Sequence, residues 1–176
     1  MFDVLIRMFI RAFDPATVLF RQLREDRRRQ HCHHSDGHKR QLERPQHGLD
    51  AVVADFEACD LLVLGTPTYG AGELQADWEE GIDRLGAASL AGKKVALFGL
   101  GDQQSYPDTF VDAIGTLYDT VTGLGAEVVG FTDTKGYEFE ASTAVRDDRF
   151  VGLVLDQDNQ AAKSEKRIAS WTSQIL

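Results

Sequence analysis

From Leu49 onward the chain is built of short apolar runs separated by longer amphipathic ones. Two runs, DLLVLG at 60–65 and KVALFGLG at 94–101, end in glycine and show no alternation of apolar and polar positions, the pattern of strands buried on both faces of a parallel sheet. Between them ELQADWEEGIDRLG spaces Leu74, Trp78, Ile82 and Leu85 at helical intervals, so this stretch reads as strand, helix, strand. DTFVDAIGTLYDTVTGLG predicts a second helix, with Asp108 or Thr109 as its cap, Phe110, Ile114, Leu117 and Val121 on its apolar face, and Gly123 or Gly125 at its end. AEVVGF at 126–131 is a further strand. A polar excursion over 132–149 precedes the strand FVGLVL at 150–155, and a last helix is predicted over about 164–175. Such alternation implies an open α/β sheet with helices on both faces, where ligands sit at the carboxyl ends of strands.

Upstream the pattern breaks. Residues 21–47 hold eight Lys or Arg against four Asp or Glu, all five histidines and only three apolar residues, Leu23, Cys32 and Leu42, so nothing there can face a core. The start, MFDVLIRMFIRAF, is interrupted by Asp3, Arg7 and Arg11, lacks a small-residue cleavage site and is too broken to span a bilayer; 1–16 reads as an extension.

Composition narrows the class. A chain of 176 residues with 43% hydrophobic content suits a single domain over 1–176, expected as a monomer. The net charge of −9 disfavours nucleic acid and anionic membranes as partners and favours a basic protein face. Cys32 and Cys59 form neither a disulfide framework nor a paired metal motif, which suits a reducing cytoplasm.

Two loops lie at the strand ends, GTPTYGAGEL at 65–74 and GLGDQQSYPDTF at 99–110, each with one tyrosine among glycines and small polar residues. Taken singly, each is a strand end followed by a helix start. Together they place Tyr69 and Tyr106 at equivalent ends of neighbouring strands, where both can reach one planar ligand.

The blocks CDLLVLGTPTYGAGELQADWEE, KKVALFGLGDQQSYPDTFVDAIGTLYD, KGYEFEAS and FVGLVLDQDNQ together resemble the long-chain flavodoxins, small carriers of electrons on FMN, over about residues 48–176. The resemblance implies a flavodoxin-like, doubly wound, five-stranded parallel sheet of order 2-1-3-4-5, its last strand split by the insertion at 132–149. It implies that Thr66, Pro67, Thr68, Tyr69, Gly70 and Ala71 cover one flavin face, with Tyr69 stacking. Leu100, Gly101, Asp102 and Tyr106 then cover the other, Tyr106 stacked on the ring and Asp102 beside it, while Asp158 matches a residue near the ribityl chain. It further implies an electron-transfer protein rather than an enzyme, with no metal, an upstream reductase and a low-potential acceptor enzyme as basic-faced partners. ALFGLGDQ and KGYEFE are similar both to flavodoxins that feed nitrogenase and to those that replace ferredoxin under iron shortage. The alternatives are a flavodoxin-like binding module without FMN and a flavin-dependent quinone or nitro reductase, although no separate nicotinamide fingerprint is present.

The residues support a low potential independently. No Lys or Arg occurs at 65–83 or 99–110, whereas Glu73, Asp77, Glu79, Glu80, Asp102 and Asp108 are acidic. A negatively biased, poorly solvated pocket disfavours the anion that full reduction of a flavin creates. Gly70, lacking a side chain, lets the Gly70–Ala71 peptide turn over and offer its carbonyl to flavin N5.

One family feature is missing. Flavodoxins follow the first strand with a hydroxyl-rich turn, [ST]-x-[ST]-G-x-T, that holds the FMN phosphate at a helix N-terminus. Here ATVLF supplies a first strand and RQLREDRRRQHCHH follows it. If the second and third bases of each codon from Arg21 are read with the first base of the next, the genetic code permits G-S-S-G-K-T-A-A-V-S-I-A-T-I-A, a glycine and hydroxyl turn entering an apolar helix. Near 43–47 the same frame permits N-V-L-N, a second strand end. The stretch from about Phe20 to Gly48 is therefore expected to be out of frame. The plainest rival, an irregular loop over 21–47, agrees with the frame-shift reading, and two others are weaker. His31, Cys32, His33, His34 and His38 offer zinc ligands without an ordered scaffold, and the basic residues lack interleaved aromatics to stack nucleic-acid bases.

Overall fold

A computed structural model describes Val18–Arg21, Val53, Phe56 and residues 60–176, with the side chains of Val18–Arg21 and of 76, 77, 79 and 80 outside the description. The extension at 1–16, the histidine cluster, both cysteines, the expected second strand and nearly all of the segment read as out of frame lie outside the described residues.

The elements in chain order are β1 (Val18–Arg21), β2 (Leu61–Tyr69), β3 (Glu73–Leu74), α1 (Ala76–Gly86), β4 (Lys94–Leu100), α2 (Asp112–Gly123), β5 (Glu127–Val129), β6 (Thr132–Asp133), β7 (Val145–Arg146), β8 (Arg149–Phe150), β9 (Leu153–Leu155) and α3 (Gln157–Ile175). β1, β2 and β4 run parallel in that spatial order. The next position is shared: β5 pairs with Lys94–Ala96 of β4 and β9 with Phe98–Leu100, both parallel. A single strand position is thus filled by two segments with an insertion between them, as expected, and the described strands follow the 1-3-4-5 part of the flavodoxin-like order.

Both sheet faces are dry, which explains the continuous apolar runs. Leu62, Leu64, Val95 and Leu97 face Trp78 and Leu85 of α1 and Ile114, Leu117 and Val121 of α2. Leu61, Val63, Ala96 and Phe98 face the other way, onto Ile168 and Trp171 of α3. Each fully buried aliphatic side chain contributes about 1.5–3 kcal/mol relative to exposure. The two tryptophans bury apolar area and also satisfy backbone carbonyls, Trp78 Nε1 donating to Gly65 O in the middle of β2 at 3.1 Å and Trp171 Nε1 to Gly130 O just past β5 at 2.7 Å.

The insertion is ordered. β6, β8 and β7 form a small antiparallel sheet, and Tyr137, Phe139 and Phe150 pack with Phe110 at ring-centroid separations of 5.5–6.1 Å. Tyr137 donates its hydroxyl proton to Val154 O at 2.5 Å and carries Arg167 over its ring at 4.1 Å. Burial pushes the Tyr137 hydroxyl up to about 12; the Arg167 guanidinium opposes the rise and Asp156 adds to it.

Three boundaries depart from the sequence expectation. Leu74 belongs to β3, where it pairs with Thr68, and α1 starts after it, because the turn at 70–72 folds the chain back along β2. Asp108 and Thr109 do not cap α2. They lie in a 3-10 turn at Pro107–Thr109, and Val111, in the left-handed region at φ 54°, precedes the helix without a side-chain cap. Bonds to the insertion hold the chain there, Phe110 N–H donating to Ala141 O and Ser142 Oγ to Phe110 O. Finally, α3 begins at Gln157, before the expected start near 164, with a first turn capped by Asp156, which accepts from Asn159 N, and set off from the rest of the helix by a kink at Gln160 (φ −134°, ψ 30°). Its first turns bury nothing before Ser164, so no apolar periodicity announced them. Among the described residues no helix is long and apolar enough to cross a membrane.

Candidate functional site

β2 and β4 are neighbours in the sheet, with Pro67 opposite Leu100, so the loops leaving their carboxyl ends rise side by side. The first is a tight hairpin. Gly72 N–H donates to Tyr69 O at 3.1 Å, and β3 returns against Thr68 and Tyr69. Gly70 sits at φ +49°, a conformation that favours glycine, and a Cβ there would lie 2.2 Å from Glu73 Oε2, the end of a flexible side chain that would have to move aside. Strand β2 runs on through Tyr69, further than the loop expected from 65: at its end Thr66 is buried and its hydroxyl donates to Pro67 O at 2.8 Å, while Thr68 Oγ1 accepts from Ala113 N in the first turn of α2 at 3.4 Å. Pro67 and Thr68 are half-buried; Tyr69, Gly70 and Ala71 are exposed.

The second loop is held by its own acid. Asp102 Oδ1 accepts from Gln104 N–H and Ser105 N–H, both at 3.0 Å, and from Asn159 Nδ2 at 2.8 Å. Hydrogen bonding from the Ser105 side chain is the largest cause that lowers the Asp102 carboxyl to about 2; partial desolvation opposes it, and the Ser105, Asn159 and Gln104 donors add to it. Asp102 O accepts from Tyr106 N–H at 3.0 Å, which fixes the backbone that carries the tyrosine. Leu100 is buried, and Gly101 is half-buried with its N–H on Leu155 O at 3.2 Å.

The exposed large hydrophobic side chains among the described residues are Tyr69 at 54%, Tyr106 at 51% and Leu176. Apart from the C-terminal Leu176, these two rings are the large apolar groups left open among the described residues, Tyr69 at the end of β2 and Tyr106 in the loop after β4, and a flat apolar ligand there would suit both. The neighbourhood is negative: Glu73, Asp102 and Asp108 are present, and no Lys or Arg occurs between Lys94 and Lys135. The side chains of Asp77, Glu79 and Glu80 lie outside the described ones. The isoalloxazine ring of FMN therefore suits the residues present. For the phosphate, the sequence after Arg21 offers no hydroxyl turn.

Asp158 is exposed in the first turn of α3, next to Asn159, whose amide reaches Asp102. That bond ties the first turn of α3, which carries Asp158, to the second loop. Three residues of this region went unread: Gln103, Asp156 and Asn159. Asp156 is fully buried, and its carboxylate accepts from Asn159 N, Asn159 Nδ2 and Gln103 N. An aspartate directly after an apolar strand is a weak cap signal by itself, with no Glu or Gln three residues on to strengthen it.

Residues 35–171 match the sequence model of the Flavodoxin family. The chain is 49% identical over 125 residues to a flavodoxin of Synechocystis sp., covering 71% of this chain and 74% of that protein. It is 51% identical over 132 residues to a flavodoxin of Klebsiella pneumoniae, covering 70% and 75%. Among solved structures, Fusobacterium nucleatum flavodoxin bound to flavin mononucleotide aligns with a TM-score of 0.68 at 38% identity, covering 72% of this chain and 76% of that one.

Proposed function

The chain belongs to the flavodoxin family, and from that premise we propose that it is a low-potential one-electron carrier that holds FMN non-covalently. The observation that carries this reading is the pair of half-exposed tyrosines, Tyr69 at the end of β2 and Tyr106 in the loop that leaves its parallel neighbour β4. FMN, when bound, supplies a centre that accepts and releases electrons singly. The chain does the rest. Tyr69 and Tyr106 clasp the ring and exclude water from its faces. Thr66, Pro67, Thr68, Gly70 and Ala71 shape one wall and Leu100, Gly101 and Asp102 the other, with Asp158 toward the ribityl side. Asp102, ionised down to about pH 2, is a fixed negative charge in the loop. Together with Glu73 and Asp108 it resists added negative charge on the ligand and keeps the potential low.

The same charges favour redox partners with basic docking faces, a reductase upstream and a low-potential acceptor enzyme downstream. The stretch 21–47 is read as an out-of-frame segment. Its basic, core-less composition and the permitted G-S-S-G-K-T reading support this, and sequencing the gene across codons 15–50 decides it.

Titration of the purified protein with FMN and, in parallel, with riboflavin tests the functional reading. A yellow complex with perturbed flavin bands is expected. Because the sequence lacks the phosphate turn, the two ligands should bind with affinities within about tenfold, since the charge-assisted hydrogen bonds that would favour FMN, about 1.5–3 kcal/mol each, are missing. A folded protein that leaves the absorption bands and fluorescence of both flavins unperturbed, and is colourless once free flavin is removed, would contradict the carrier reading and favour a binding module.

A further inference from the structure

The second loop contains an inversion of the usual burial pattern. Gln104, Ser105 and Tyr106 are exposed, yet Gln103, a polar residue in the middle of a surface loop, is only 4% exposed. A buried amide persists only where its polar atoms find partners. Gln103 finds them on two other parts of the fold. Its side-chain Oε1 accepts from Glu138 N–H in the insertion at 2.6 Å, and its backbone N–H donates to Asp156 Oδ2, the buried cap of α3, at 3.3 Å. The insertion also grips the far side of Tyr106, since Pro107 O accepts from Glu140 N–H at 2.9 Å and from Ala141 N–H at 3.0 Å. Tyr106 is therefore bracketed by two attachments to the insertion, one at 103 and one at 107. Between them, the N–H groups of Gln103, Gln104, Ser105 and Tyr106 all have partners inside the protein.

We propose that Gln103 is a positioning residue: by joining the Tyr106 loop to the insertion and to the cap of α3, it sets that loop before any cofactor arrives. The proposal rests on the reading of the site as a flavin site. It makes the insertion a working part of that site, acting through backbone donors rather than through a side chain that touches the ring. Pre-organisation of this kind removes an ordering cost from binding and fixes the face that Tyr106 presents.

Amide hydrogen exchange on the flavin-free wild-type protein tests the first half without reference to a cofactor. The Ser105, Tyr106 and Glu138 amides should exchange at least about tenfold more slowly than in an unstructured peptide. Unprotected Ser105 and Tyr106 amides would overturn the proposal. Gln103→Met keeps the shape and deletes the acceptor, whereas Gln103→Glu keeps an acceptor oxygen. In Gln103→Met, exchange at Ser105 and Tyr106 should quicken by about tenfold while the core amides of Ile114 and Val121 hold, and Gln103→Glu should restore protection. Loosening confined to Glu138, or spread evenly into Ile114 and Val121, would contradict a positioning role.

With ligand added, Gln103→Met should weaken FMN and riboflavin by the same factor, about tenfold, and change the flavin absorption envelope, with Gln103→Glu recovering both. Unchanged affinity and spectrum in Gln103→Met would refute the proposal. If the wild-type protein takes up neither flavin, the functional reading fails, and the exchange data still decide whether Gln103 sets the loop.

Discussion

The Asn159 amide stands 2.8 Å from Asp102 Oδ1 and also 3.0 and 2.9 Å from the two oxygens of Asp156, so one neutral side chain ties two carboxylates from different elements. The tie couples the first turn of α3 to the loop after β4, and it has a pH signature. Asp102 titrates at about 2 against an ordinary 3.8, so its hydrogen bonds stabilise the fold above the unfolded pKa, and that stability is lost as pH falls from about 3.8 through 2. Asn159→Ala should move the Asp102 carboxyl part of the way back toward 3.8 and no further, because Ser105 is the larger cause. Carboxyl chemical shifts followed between pH 1.5 and 6 would measure it, and an Asp102 titration unmoved by the substitution would dissociate the two residues.

Gly70→Ala should destabilise the hairpin between β2 and β3. The backbone at φ +49° costs about 1–2 kcal/mol for an L-residue with a Cβ, and Glu73 must also move. Gly70→Asn should lose less backbone energy, since asparagine tolerates that region. Urea unfolding of the two variants gives the comparison; equal losses would mean that the contact with Glu73, rather than the dihedral, dominates.

A comparable test exists at the seat of the insertion. A Cβ on Gly115 of α2 would lie 2.5 Å from Thr143 O, a backbone atom with little freedom to yield. Gly115→Ala should therefore cost about 1–3 kcal/mol despite its better helix propensity. A gain in stability would show that the insertion rests only loosely on α2.

How much of this could be read in the sequence depends on where side chains find their partners. The strands at 60–65 and 94–101 were legible because both faces of the sheet are dry, and α2 was legible because Ile114, Leu117 and Val121 repeat at helical spacing on one buried face. Tyr69 and Tyr106 were legible as a pair because two glycine-rich strand ends each carried one. The start of α3 was not legible: its first turns are polar and exposed, and the buried Asp156 cap is a single residue without periodicity. Gln103 left no trace at all. Its partners, Glu138 and Asp156, lie 35 and 53 residues away, so only the folded chain reveals that it is buried. The cap of α2 was misread for the same reason, because bonds from Ala141 and Ser142 outcompete the local preference of Asp108 and Thr109 to start a helix.

Electrostatics give a prediction about partners. Two tyrosine-bearing loops without Lys or Arg, flanked by Glu73, Asp102 and Asp108, should attract a basic redox protein over a distance. Stopped-flow electron transfer to such a partner should slow markedly between low and 0.5 M salt, because exposed charges farther apart than about 4–5 Å are then screened. A rate that ignores ionic strength would mean that docking is not steered by these acids.

The central claim, a flat redox ring held between Tyr69 and Tyr106 in surroundings that resist negative charge, is tested most directly by a potentiometric titration of the FMN-loaded protein. Two resolved one-electron steps are predicted, the second well below the potential of free FMN. A single two-electron step at the potential of free FMN would contradict it.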